Sequence, residues 1–228
     1  MFSVPQGSLG FWSDRFAALG VGGLKVEESF GEKRLNFSGP DGDGFALVEV
    51  KDDGRQPWTH GGISEDHAIR GFHSVAMRLR DEGATAELLR FMGYEIAEEK
   101  DGVKRLIKPD GNGAHLIDLE TMPSIARALP APAPSTMSLS RSKNREKQLE
   151  VRKALMDTGY QVTPVIDRDY FWAIYFRTPG GVLFEVATNE PGFNRDEDTA
   201  HLGEALKLPQ QHAHLRALLE QHLQPLEA

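Results

Sequence analysis

A pattern of short strand, amphipathic helix, glycine, strand, hairpin and final strand occurs three times in this chain, and it limits the fold more than any other feature. In the first copy FSVP (2–5) leads into GSLGFWSDRFAAL (7–19), where Leu9, Trp12, Phe16 and Leu19 recur at helical spacing as one apolar face. KVEESFG (25–31), KRLNFSG (33–39), the turn PDGDG (40–44) and FALVEV (45–50) follow. The second copy runs GFHSVAMRL (71–79), the helix GATAELLRF (83–91), MGYEIAEE (92–99), VKRLIK (103–108), PDGNG (109–113) and AHLIDLE (114–120). The third has the helix REKQLEVRKALMD (145–157), TGYQVTPVIDR (158–168), DYFWAIYFRT (169–178), PGG (179–181) and VLFEVAT (182–188). Pro40, Pro109 and Pro179 open the three turns at spacings of 69 and 70 residues. Gly20, Gly93 and Gly159 stand where each helix must stop, a position that favours glycine because its backbone turns left-handed there.

The repeated unit is therefore βαβββ, and the expected fold class is α+β, with modules at 1–53, 71–122 and 135–190. Residues 54–70 are expected as a linker and 191–228 as a tail, whose Leu215, Leu218, Leu219 and Leu223 form an apolar helical face for packing back on the sheet. The third unit lacks only a recognisable first strand, which is expected at 135–142. That place is occupied by RALPAPAPSTMSLSRS (127–142), a proline-alanine run passing into a serine-rich basic one.

Composition closes off several functions. A net charge of -8 and a pI near 5.5 argue against a general nucleic-acid surface and point to a cytoplasmic protein. With zero cysteines, disulfides, thiol catalysis and thiolate zinc sites all drop out. No apolar run approaches the ~20 residues of a membrane span. MFSVPQGSLGFW has no basic leader and reads as a chain that starts in mid-domain.

Chemistry concentrates in the third unit. Glu185 interrupts the apolar strand VLFEVAT, and a carboxylate there needs an ion partner or a metal. Two readings stand side by side: a metal ligand, or a strand-edge ion pair with Arg168 or Arg177. On the preceding strand Tyr175 shares its parity with Phe171 and Ala173, opposite to Trp172 and Ile174.

The stretches SVPQGSLGFWSDRFAALGV, EDHAIRGFHSV, TPVIDRDYFWAIYFRTPGGVLFEVATNEPGFNRDED and LGEALKLP resemble the vicinal oxygen chelate superfamily of glyoxalases, bleomycin-resistance proteins and extradiol dioxygenases. Within it the chain is most similar to the four-module ring-cleaving dioxygenases that act on hydroquinones. The resemblance implies paired modules closing cup-shaped mixed sheets, and a mononuclear divalent metal, usually Fe(II), held by two histidines and one carboxylate. It implies a small aromatic substrate and dioxygen as reactants. Carried over, Glu185 is the metal carboxylate, while Tyr175 and Arg168 are the catalytic residues that contact substrate beside the metal.

The chain departs from that pattern twice. Its three units match modules two, three and four, so the first module and its histidine are missing. In the last module Thr136 and Met137 occupy the places of the His-His pair, with Met137 at the ligand place. Synonymous codons for residues 131–142 can be written so that the neighbouring frame encodes GAGAVHHVAFAV, the expected strand. Two explanations remain: a locally shifted reading frame across 128–142, or a genuine linker followed by a divergent strand. Two of three ligands being absent, the expected product is an impaired dioxygenase, a non-catalytic relative, a glyoxalase-like lyase, or one half of a pair. The partner would be a second copy of the chain or a separately encoded first module. His73 and His115 form an alternative half-site, and His67 is expected to anchor the linker. His201, His212, His214 and His222 fall in the tail; the HAH spacing of 212–214 diverges on a helix and indicates surface.

Overall fold

The computed structural model describes residues 1–109, 115–122 and 144–224, and residues 136–142 by their backbone path. Two compact units result, 1–128 and 129–228. The fold is α+β, with helices on mixed sheets. Of the stretch 127–142, only the part from Thr136 lies within the described residues.

In the first unit β1 (Phe2–Pro5), α1 (Leu9–Ala18), β2 (Lys25–Ser29), β3 (Glu32–Ser38) and β4 (Gly44–Val50) come in order. β1 pairs parallel with β4, and β2, β3 and β4 form an antiparallel meander. Leu9 and Trp12 of α1 pack on Val4, Leu35 and Leu47 in one buried cluster. Leu19, expected on that face, falls just past the helix end and is 67% exposed. The second repeat supplies β6 (Ser74–Leu79), α2 (Gly83–Phe91), β7 (Glu95–Lys100), β8 (Val103–Ile107) and β9 (Leu116–Thr121) after a short β5 (Gly71–Phe72).

GFHSVAMRL is not the single strand its pattern predicts. It breaks at His73: β5 runs antiparallel to β1 as the edge of the first sheet, while β6 opens the second sheet in parallel with β9. The change serves both sheets, because β1 would otherwise present an unpaired edge. Residues 51–70 are held down rather than loose. The Trp12 indole donates to the His67 carbonyl at 2.8 Å, Ser8 Oγ donates to the Asp66 carbonyl at 2.9 Å, and the His67 ring stacks on Phe11. His67 thus anchors the linker, as its sequence position implied.

The second unit contains β10 (Thr136–Ser142), α3 (Arg145–Asp157), β11 (Ile166–Asp167), β12 (Phe171–Arg177) and β13 (Leu183–Pro191) in a sheet of order β10-β13-β12-β11. α3 starts at Asn144, whose Oδ1 accepts from Lys147 N at 3.0 Å. Its buried Gln148 donates to the carbonyls of Trp172 and Val186, tying helix to sheet by polar contacts as well as by Leu155. The three repeat helices end alike. Gly20, Gly93 and Gly159 have φ of +70°, +90° and +92°, and the next residue in each case bonds back to the carbonyl five positions earlier. The tail helix α4 (Arg216–His222) has seven residues, and Leu218 and Leu223 are 54% and 52% exposed. Leu215 and Leu219 are half-buried, so the short helix buries only part of the apolar face expected of it.

Candidate functional site

Hairpin β12–β13 brings Tyr175 directly opposite Glu185. Ile174, Phe176, Phe184 and Val186 are buried, so by strand alternation Tyr175 and Glu185 lie on the other face of the sheet. Tyr175 Oη donates to Glu185 Oε1 at 3.0 Å. Arg168 Nε donates in turn to Tyr175 Oη at 3.3 Å, and its guanidinium carbon lies 5.3 Å from the ring centroid. The three residues singled out in this unit therefore form one chain, Arg168–Tyr175–Glu185. The simple strand-edge ion pair is not what forms: Arg177 donates to the Gly181 carbonyl, and Arg168 reaches the carboxylate only through the phenol.

Parity alone would have put Arg168 on the wrong side. It lies outside β12, in a tight turn at Asp167–Phe171 closed by Arg168 N to Phe171 O at 2.9 Å, and the turn folds it back over Tyr175. A register irregularity between Phe171 and Ala173 breaks the expected alternation at the same point. Burial is the main influence on the Tyr175 hydroxyl. The bond from Arg168 opposes it and the contact with Glu185 reinforces it, leaving the phenol above its ordinary range. Tyr175 thus remains a hydrogen-bond donor at neutral pH.

β10 runs parallel to β13, with Thr136 opposite Leu183, Met137 opposite Phe184 and Ser138 opposite Glu185. The register position beside the carboxylate is therefore Ser138, one place beyond Met137. Met137 shares the register of Phe184, whose side chain is fully buried.

The same slots in the second repeat hold different chemistry. Hairpin β8–β9 pairs Arg105 with Asp118. Asp118, not His115, is therefore the counterpart of Glu185; His115 precedes β9, where its carbonyl accepts from Lys108 N at 2.9 Å. Arg105 grips Asp118 with two bonds of 2.7 and 2.9 Å, and its Nη1 reaches Glu32 Oε2 at 2.6 Å. Arg34 Nη2 lies 3.8 Å from Asp118, and Arg105 also covers the Phe30 ring at 4.3 Å. His73, the other half of the alternative pair, lies 3.1 Å from Glu32 through Nε2 and 2.9 Å from Ser74 Oγ through Nδ1. It is a buried member of an ion network. Burial opposes ionisation of Glu32, yet hydrogen bonds with His73 and Arg105 outweigh it and hold the carboxyl down at about 2.

This network escaped sequence reasoning, although the signal was present. Arg105 in VKRLI and Asp118 in LIDLE are charges inside apolar strands, the same anomaly that singled out Glu185. Among the described residues, no group of three or more His, Cys, Asp or Glu side chains could hold a metal ion. Glu185 alone does not make a facial triad, which needs two further protein ligands. Among the described residues, no helix is long and apolar enough to cross a membrane.

No protein-family model matches the chain. Its curated relatives are informative. MhqO of Bacillus subtilis (strain 168), named as a ring-cleaving dioxygenase, is 37% identical over 228 residues, covering 99% of this chain and 72% of its own length. The chlorohydroquinone/hydroquinone 1,2-dioxygenase of Sphingobium indicum is 31% identical over 216 residues, covering 92% and 67%. A crystal structure described as a dioxygenase from Bacillus subtilis superposes with a TM-score of 0.86 at 33% identity, over 99% of this chain and 72% of that one. Sequence and fold agree over nearly the whole chain: it belongs to the family of the ring-cleaving dioxygenases.

Proposed function

We propose that the Arg168–Tyr175–Glu185 face is one part of a divalent-metal site, of the Fe(II) type, for oxidative ring cleavage of a hydroquinone- or catechol-like aromatic by dioxygen. The observation that carries this reading is the bonded chain itself, a half-buried carboxylate reached by a phenol and a guanidinium on the open face of a sheet. The names of the relatives supply the substrate class. In this reading Glu185 supplies negative charge, Tyr175 orients a substrate oxygen, and Arg168 stabilises an oxyanion beside it. The module bounds 1–53, 71–122 and 135–190 and a cytoplasmic location belong to the same proposal.

The lone polypeptide contributes one ligand of the three, because Thr136 and Met137 stand in the places of the imidazoles. Activity then requires both missing imidazoles: a separately encoded first module, or a partner copy in a homodimer, has to supply one, and a histidine strand at 136–137, if the neighbouring frame encodes it, supplies the other. A non-catalytic module protein is the outcome if neither supplies them; a glyoxalase-like lyase is the alternative on the same carboxylate.

Iron loading and oxygen uptake on a hydroquinone and catechol panel, run on the chain alone and with an added first module, test the reading. The expected result is weak iron retention and little uptake alone, firmer iron retention with the module, and full recovery of both only when Thr136→His and Met137→His are added to the chain as well. Stoichiometric iron in the chain alone would overturn the partial site. Hemithioacetal turnover without oxygen uptake would favour the lyase. Sequencing codons 128–142 decides whether the neighbouring frame encodes the histidine strand.

A further inference from the structure

We propose that the segment Pro191–Asp196 is a strap that positions Arg168, with Arg195 and Asp169 as its positioning residues. This rests on the reading that Arg168 serves the Glu185 face. Arg168 is exposed and sits in a turn of five residues, where its main chain bonds the Phe171 carbonyl at 2.9 Å and its side chain makes one long bond, 3.3 Å, to Tyr175. The following residue, Asp169, has φ of +71°, a left-handed conformation that Asp adopts more readily than most non-glycine residues and that its surroundings here reinforce.

Those surroundings come from twenty-odd residues further along. Arg195 Nη1 donates to both the main-chain carbonyl and the Oδ1 of Asp169, the latter at 2.8 Å. Asp169 N donates to Asp167 Oδ1 at 2.8 Å, which closes the turn from inside. On the other flank Gly192 N donates to the Tyr170 carbonyl at 2.9 Å, the Tyr170 ring stacks on Phe193 at 5.3 Å, and Tyr170 Oη donates to Asp196 at 3.1 Å. The strap thus holds both residues that follow Arg168, 169 and 170, and through them the direction in which the guanidinium leaves the turn. Phe193 is 62% exposed, so its ring serves the stack with Tyr170 and not a hydrophobic core.

The test follows the Arg168 side chain directly and needs neither metal nor substrate. In nitrogen-15-labelled protein the Arg168 Nε–H signal is identified by its absence in Arg168→Lys. Its steady-state heteronuclear NOE is expected to be positive in the parent protein. Arg195→Ala is expected to abolish it while leaving the backbone amide spectrum elsewhere unchanged. Arg195→Lys, which keeps a cation able to donate to the Asp169 carbonyl, is expected to retain it. Phe193→Ala provides a second variant should Arg195→Ala not fold, and is expected to reduce the NOE in part. An unchanged Arg168 NOE in a folded Arg195→Ala or Phe193→Ala variant would overturn the strap, even if thermal stability fell. Absent ring cleavage in the assembled parent protein, with the NOE response intact, would remove the catalytic reading and leave the positioning in place.

Discussion

In hairpin β8–β9 the residue across from Asp118 is an arginine, whereas in hairpin β12–β13 the residue across from Glu185 is a tyrosine. The two hairpins hold the same place in two copies of the repeat, so the difference shows what the facing partner does to a carboxylate. Arg105 supplies full charge compensation and a bidentate grip, and Asp118 is completely buried. Its bonding capacity is committed to structure. Tyr175 supplies one neutral hydrogen bond, and Glu185 remains half-buried with its charge uncompensated by direct contact. A carboxylate in that state favours a cation. One repeat has closed its slot with a guanidinium belonging to the protein; the other leaves its carboxylate a single direct partner, the phenol, which is what the proposed metal role needs.

The largest effect should come from breaking the closed slot. Arg105→Leu strips buried Asp118 of both its hydrogen bonds, leaving only Arg34 at 3.8 Å, and is expected to destabilise the first unit by about 3–5 kcal/mol in equilibrium denaturation. Adding Asp118→Leu should recover only part of that loss, since it removes the stranded carboxylate but leaves Arg34 buried without its anion and Glu32 without Arg105. If the double variant is as unstable as the single one, Asp118 has a role besides pairing with Arg105.

Acid titration gives the next effect. The Glu32 carboxyl is held at about 2, below its usual 4.5, so it contributes stability above the usual value that is lost as the pH falls from there through 2. Denaturation at a series of pH values across that window should show this slope, and Glu32→Gln should flatten it. Smaller still, Tyr175→Phe removes the phenol's two hydrogen bonds, to Glu185 and from exposed Arg168, and is expected to cost about 0.5–1.5 kcal/mol. Glu185→Gln, which keeps an acceptor for Tyr175, should change stability by less than about 1 kcal/mol while abolishing iron retention in the assembled protein. A Glu185→Gln variant as unstable as Arg105→Leu would erase the contrast between the slots.

Much of this was legible in the chain. Two helix spans, 83–91 and 145–157, follow directly from their periodicity, and the three glycines mark their ends because the Schellman geometry requires a left-handed residue. Glu185 announced itself as a charge in an apolar strand. The break at His73 was hidden because both halves are extended and only pairing with β1 separates them. The fold-back of Arg168 was hidden for a related reason. A tight turn overrides the two-residue period, and its cause, Arg195, lies too far along the chain for any local pattern. The tail helix shows the converse, an apolar stripe with periodicity that the short helix buries only in part.

The break at His73 also bears on how the first unit comes apart. A single backbone passes from the edge of one sheet into the first strand of the next, so neither sheet can shed that strand without loosening the other. Amide protons on β1 and β9 should therefore exchange through a shared global opening, with matching protection and matching sensitivity to denaturant.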